Sequence, residues 1–159
     1  MDNLYKVDAV LIVISLVVVM GLIGYARPLV IAPLDDYAST EGEILFSIEK
    51  ADKLLIDDNL EFSSPTEYLL GDGLEINLDP GVYYWKAVGV VSSKVRTLTI
   101  NSEVNFELKE LGDGYGVVNV GNVRLNVDVY SGDELIEKVK LNPDEEARAE
   151  GDKFVGGLE

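Results

Sequence analysis

The side chains of this chain best suited to chemistry are carboxylates gathered in turns. "IDDNLE" at 56–61 brings Asp57, Asp58, Asn59 and Glu61 together, and further acidic runs stand at 35–36 and 144–146. Calcium takes about six to eight such oxygens, often from loops between strands. None of the runs has the D-x-D/N-x-D/N-G spacing of a dedicated calcium loop, so they read as solvated turns. If one site holds a cation, it is the loop of Asp57, Asp58 and Glu61. "GDGLE" at 71–75 and "GDGYG" at 112–116 carry glycine pairs, but neither lies between a strand and a helix. They are turn formers rather than phosphate cradles. No pair of carboxylates stands out as the two needed for glycoside hydrolysis.

What is missing narrows the chemistry further. The chain has no histidine and no cysteine. The commonest general base, the thiolate nucleophile and every disulfide are therefore absent. The expectation is a protein that is not an enzyme and has no cofactor, with calcium the one ion for which a candidate site exists.

"LDPGVYYWKAVGV" at 78–90 raises a different question, because three large aromatics stand together after a Pro-Gly turn. Side chains alternate along a strand, so Tyr83, Trp85 and Ala87 share one face and Tyr84, Lys86 and Val88 the other. Lysine is seldom buried unpaired. The Trp85 face is thus assigned to a core, and Tyr84 is left as the candidate for an outward contact, such as stacking on a sugar.

Thirteen basic and 29 acidic residues give a net charge of −16. Such a chain repels nucleic-acid phosphates and anionic lipid headgroups, so neither is an expected partner. Solubility explains the excess most simply.

Residues 9–26, "AVLIVISLVVVMGLIGYA", run for eighteen residues without a charge. As a helix they cover roughly 27 Å, close to the thickness of a bilayer core. Lys6 and Arg27 bracket the run, and Tyr5 and Tyr25 stand where interfacial aromatics are found. A membrane anchor in contact with lipid through residues 9–26 is the reading. A cleaved signal peptide competes, since Gly24 and Ala26 are spaced like a cleavage site. A processed pilin-type leader lacks its junction and its early Glu. The charge balance across the run is nearly even, and an exported C-terminal part rests on the short N-terminal head.

After Pro28 helical periodicity gives way to short alternating runs between Gly, Asp, Asn and Pro, as in a sandwich or barrel. Strands are expected at "LVIA" (29–32), at "EILFSIEK" with Ile44, Phe46 and Ile48 inward, and at "KLLID" (53–57). More follow at "LEINL" with Leu74, Ile76 and Leu78, at "KVRTLTI", and at "EVNFELKE" with Val104, Phe106 and Leu108 inward. The polar stretch through Ser63, Ser64 and Pro65 reads as a connection.

Residues 28–101 resemble a fibronectin type III module of microbial surface proteins. The likeness lies in the Pro-containing opening, "FSI" in the second strand, "KLLIDDNLEFSSP", "LDPGVYYWKAV" and the closing "RTLTI". It implies a β-sandwich in which the Leu-x-Pro-Gly turn, with Pro80 and Gly81, precedes a corner tyrosine. Tyr83 takes that role by face parity, with Tyr84 the alternative from spacing. Ile48 stands where the family has its second-strand tryptophan, and no RGD-type tripeptide is present, so no binding residue carries over.

Residues 102–159 read as a smaller β unit, with Val123, Leu125, Val127 and Val129 on one face of a strand. "NVGN" at 119–122 and "SGD" at 131–133 read as hairpin turns. The segment is similar to small immunoglobulin-like cell-surface repeats, with a later turn at Leu141-Asn142-Pro143. About 58 residues make a marginal core, so packing against the first module is expected.

The fold expectation is all-β: an anchor at 1–27, a fibronectin III-like sandwich at 28–101 and a small immunoglobulin-like domain at 102–159. The functional expectation is a non-catalytic, single-pass cell-surface protein acting through protein contact or self-association. A carbohydrate-binding module and a subunit of a surface filament or envelope layer are the alternatives.

Overall fold

The computed structural model describes residues 2–71, 73–112 and 114–158; Asp72 and Asp113 of the two Gly-Asp-Gly turns lie outside them. The chain is all-β after one N-terminal helix, α1 (Asp2–Tyr25). Tyr5–Tyr25 is long and apolar enough to cross a membrane, and none of its most apolar window is buried in protein. A helix satisfies its own backbone groups, which suits a segment surrounded by lipid. The lone hydroxyl in the run, Ser15 Oγ, donates to the Leu11 carbonyl at 2.8 Å. The helix stops ahead of Pro28, whose ring disfavours helical geometry at Arg27. Lys50 holds its end: Nζ donates to the Tyr25 carbonyl at 3.2 Å and lies 4.1 Å from the centre of the Tyr25 ring.

Two compact units follow from the packing. Unit one comprises 1–37, 45–76 and 83–98; unit two comprises 38–44, 77–82 and 99–159. The first eight strands are β1 (Leu29–Ala32), β2 (Tyr37–Ser39), β3 (Glu43–Glu49), β4 (Lys53–Asp57), β5 (Thr66–Leu69), β6 (Leu74–Asn77), β7 (Gly81–Val88) and β8 (Arg96–Ile100). They form a sheet of order β1-β3-β6 and a sheet of order β2-β8-β7-β4-β5.

The core of unit one follows from period-two patterning. Antiparallel pairing sets Ile56 opposite Trp85 and Leu54 opposite Ala87. Phe46, Leu54, Trp85, Ala87 and Leu98 have no solvent exposure. Phe46 of one sheet meets Trp85 of the other edge to face, with ring centres 5.2 Å apart and planes at 86°, an arrangement aromatic quadrupoles favour. The two sheets are therefore stacked face to face around this pair. The cluster at 83–85 is mostly interior: Trp85 is fully buried and Tyr83 half-buried on the same face.

Two strands escaped the sequence pattern. β2 has three residues, and β5 sets Tyr68 opposite Leu54 and the polar Thr66 opposite Ile56 in the core row. Both are edge strands, where one-sided cover blurs the alternation. Ile48, expected inside with Ile44 and Phe46, is only half-buried.

Unit two contains β9 (Phe106–Glu110), β10 (Tyr115–Asn119), β11 (Leu125–Ser131), β12 (Glu134–Leu141), β13 (Glu146–Ala149) and β14 (Lys153–Leu158). They form two sheets, β13-β10-β9 and β12-β11-β14. Val117, Leu125, Val127, Val129, Val139, Leu141 and Ala149 make its core, with Phe106, Ala147 and Phe154 packed on it. Gly156 belongs to that packing, since a Cβ there would lie 2.8 Å from the Phe106 ring.

The reading of two segments is corrected here. Val104 and Leu108 are 42% and 43% exposed rather than inward: Val104 precedes β9 and is not in a strand, and Leu108 lies on β9, an edge strand with little to cover it. "NVGN" is not a hairpin turn, since it joins β10 and β11, which lie in different sheets. "SGD" is one: β11 and β12 pair through Ser131 and Glu134, and Gly132 supplies the positive φ of 63° that such turns need.

Candidate interaction surface

The acidic loop after β4 is organised by its own side chains. Asp57 is 6% exposed. Its Oδ1 accepts the Asn59 amide at 3.1 Å and its Oδ2 accepts the Ser64 amide at 3.0 Å. Asn59 Oδ1 then accepts the Glu61 amide at 2.8 Å, and Asn59 Nδ2 donates to Ser63 Oγ at 2.9 Å. Both oxygens of Asp57 thus staple the two ends of the loop. Among the described residues, no group of three or more acidic side chains is placed to hold a metal ion, so Asp57, Asp58 and Glu61 are not brought together as a cage. Asp57→Ala is expected to destabilise the protein by about 1–2 kcal/mol through two orphaned amides. Thermal melting in calcium and in chelator measures this. A calcium-dependent gain in stability that disappears in the variant would restore the cation reading.

The outward face of β7 follows next. Tyr84 pairs with Asp57 and Lys86 with Leu55 across β4. Lys86 Nζ sits 4.0 Å from the centre of the Phe62 ring, a cation–π contact. Tyr84 is half-buried, so no open aromatic platform for a sugar is laid out there. Pro80 and Gly81 lie at the entry to β7, with Gly81 opening the strand.

Two sheet edges carry exposed apolar side chains. β5 bears Leu69 at 74% exposure, and β14 bears Val155 and Leu158 at 45% and 63%. β5 and β14 each end their sheets and have one paired neighbour. An edge strand presents unpaired N–H and C=O groups to another chain, and strand addition is a recurrent mode of protein recognition. No single residue in the sequence marks these edges; they follow from strand order.

No protein-family model and no curated protein matches the chain. Among solved structures it is similar to the class 5 fimbriae chaperone CfaA, at 11% identity and a TM-score of 0.21, over 78% of this chain and 83% of that one. A likeness of that size carries no argument about function.

Proposed function

We propose that the protein is a single-pass membrane protein whose β units stand outside the cell and act through protein contact, without catalysis and without a bound cofactor. The observation that carries the reading is α1. Its apolar surface is unburied while each unit has its own core, so the helix is not a core element of either. An exposed apolar helix of this length suits an apolar solvent. Contact through sheet edges is supported by the apolar side chains on β5 and β14. A fibronectin-type arrangement of the first sandwich is supported by its strand order: β1, β3 and β6 in one sheet, and β8, β7, β4 and β5 in the other, where the short β2 is added beyond β8.

Full-length protein expressed in membranes is expected to resist alkaline carbonate extraction, and mass spectrometry is expected to find α1 intact. A mature chain beginning at Arg27 and free in the supernatant would overturn the anchor. Protease added to intact cells is expected to remove the β units; complete protection would place them on the other side.

A further inference from the structure

The acidic excess is not spread evenly. Four of the 13 basic residues, Arg27, Lys50, Lys94 and Arg96, stand around the C-terminal end of α1. Arg27, Lys94 and Arg96 line an open groove of about 410 Å³ together with Pro28, Ser92 and Ser93, and Ile23 of the last helical turns forms part of its wall. No carboxylate lines it. Among the described residues, Lys53, Lys109, Lys138 and Arg148 are among the cations in ion pairs, whereas Arg27 and Lys94 are not, and Arg96 lies over the Trp85 ring, 5.7 Å from its centre, rather than against a carboxylate. Asp35, near Arg96 through the Thr97 amide, has its Oδ1 engaged by the amides of Asp36 and Thr97.

The groove is also held in shape. The Ser93 amide donates to the Ala87 carbonyl at 2.8 Å. Ser93 Oγ accepts the Ala87 amide at 2.9 Å and donates to the Lys94 carbonyl at 2.8 Å. A bridge between Val88 and Ser92 fixes the other limb of the loop. Lys94 and Ser92 therefore stand on a loop tied to β7, which lowers the entropy lost on binding.

Height above the membrane decides what such a groove meets. β1 begins four positions after α1 ends, a reach of at most roughly 14 Å. The groove itself includes a helix residue, so with α1 in a bilayer it lies at the level of the headgroups. Charges beyond about 8 Å are screened at physiological ionic strength, so the net charge of the whole chain does not govern this spot. The expectation that an acidic chain avoids anionic lipid, drawn from the net charge, therefore does not decide what this spot meets.

We propose that the groove seats the phosphate of an anionic lipid headgroup, with Arg27, Lys94 and Arg96 as its cationic wall and the Ser92 hydroxyl as a donor. The contact rests on the membrane-span reading and would fix the attitude of unit one to the bilayer surface. The test uses full-length protein in phosphatidylcholine vesicles, with and without added phosphatidylglycerol, and follows amide hydrogen exchange across residues 91–96. Carbonate extraction of the same vesicles reports insertion separately.

Phosphatidylglycerol is expected to slow exchange about fivefold for each cation engaged, with the effect lost in high salt and in the triple variant Arg27→Gln/Lys94→Gln/Arg96→Gln. Lys94→Gln alone, at an exposed position, is expected to lose about one such factor and guards against misfolding of the triple variant. Equal exchange in both vesicles with the protein firmly inserted overturns the headgroup site and leaves the anchor standing. Equal protection by inorganic phosphate in detergent micelles overturns the lipid source in favour of a soluble anion. Release by carbonate overturns the anchor, and the headgroup site with it.

Discussion

Trp85→Ala is expected to cost about 4 kcal/mol and to raise the exchange rate of the β4 and β7 amides about a thousandfold. The indole has no solvent exposure. It meets Phe46 edge to face at 5.2 Å and lies in the row of Ile56. Its other side is covered by the Arg96 guanidinium, 5.7 Å from the ring centre. Truncation removes the largest side chain of the core and leaves a cavity that two hydrogen-bonded sheets cannot collapse to fill. Trp85→Phe should behave differently. Among the described residues Nε1–H has no acceptor, so phenylalanine deletes a buried unsatisfied donor as well as volume. The two changes offset, and a net cost of about 1 kcal/mol is expected. A phenylalanine variant as damaged as the alanine one would mean that the indole N–H has a partner. As the only tryptophan, Trp85 also reports on itself. Its native emission is expected to be blue-shifted and protected from iodide, and free quenching would contradict the stacked sheets.

How much of this was legible in the sequence depends on how local the signal was. Trp85 and Ala87 either side of Lys86 declare their face within a few residues, because strand geometry alternates and lysine avoids the interior. The turn at Gly132 was legible for the same reason. β13 carries its buried residue as Ala149, too small to register as a hydrophobic stripe, and β14 is thinned by Gly156 and Gly157. Asp57 presented itself as a cation ligand because only its neighbours were visible. Its second oxygen is taken by Ser64, and that partner depends on how the chain returns into β5. The basic groove was wholly hidden. Arg27 is read as a flank of the helix, while Lys94 and Arg96 sit in an unremarkable connection and strand. Only the fold sets them beside one another.

Unit two depends in the same way on one polar side chain that the sequence offered merely as a turn residue. Asn119→Ala is expected to cost about 3 kcal/mol and to speed exchange of the β10 and β11 amides about a hundredfold. Asn119 is fully buried. Its Nδ2 donates to the Val123 carbonyl at 2.8 Å and to the Leu141 carbonyl at 3.2 Å, while its Oδ1 accepts the Gly121 amide at 3.0 Å. Its backbone exchanges bonds of 3.0 Å with Glu145 and Asp144. The side chain thus joins the crossover from β10 to β11 with the end of β12, across both sheets of the unit. Alanine would orphan two carbonyls and an amide where water has little access. The crossover is closely packed there, since a Cβ at Gly121 would collide with the Glu103 carbonyl oxygen. Asn119→Asp separates the donor role from mere shape. It keeps the acceptor for Gly121 but turns a second oxygen toward two carbonyls, so it is expected to destabilise at least as much as alanine. An aspartate variant as stable as the wild type would show that the two carbonyls do not need the amide.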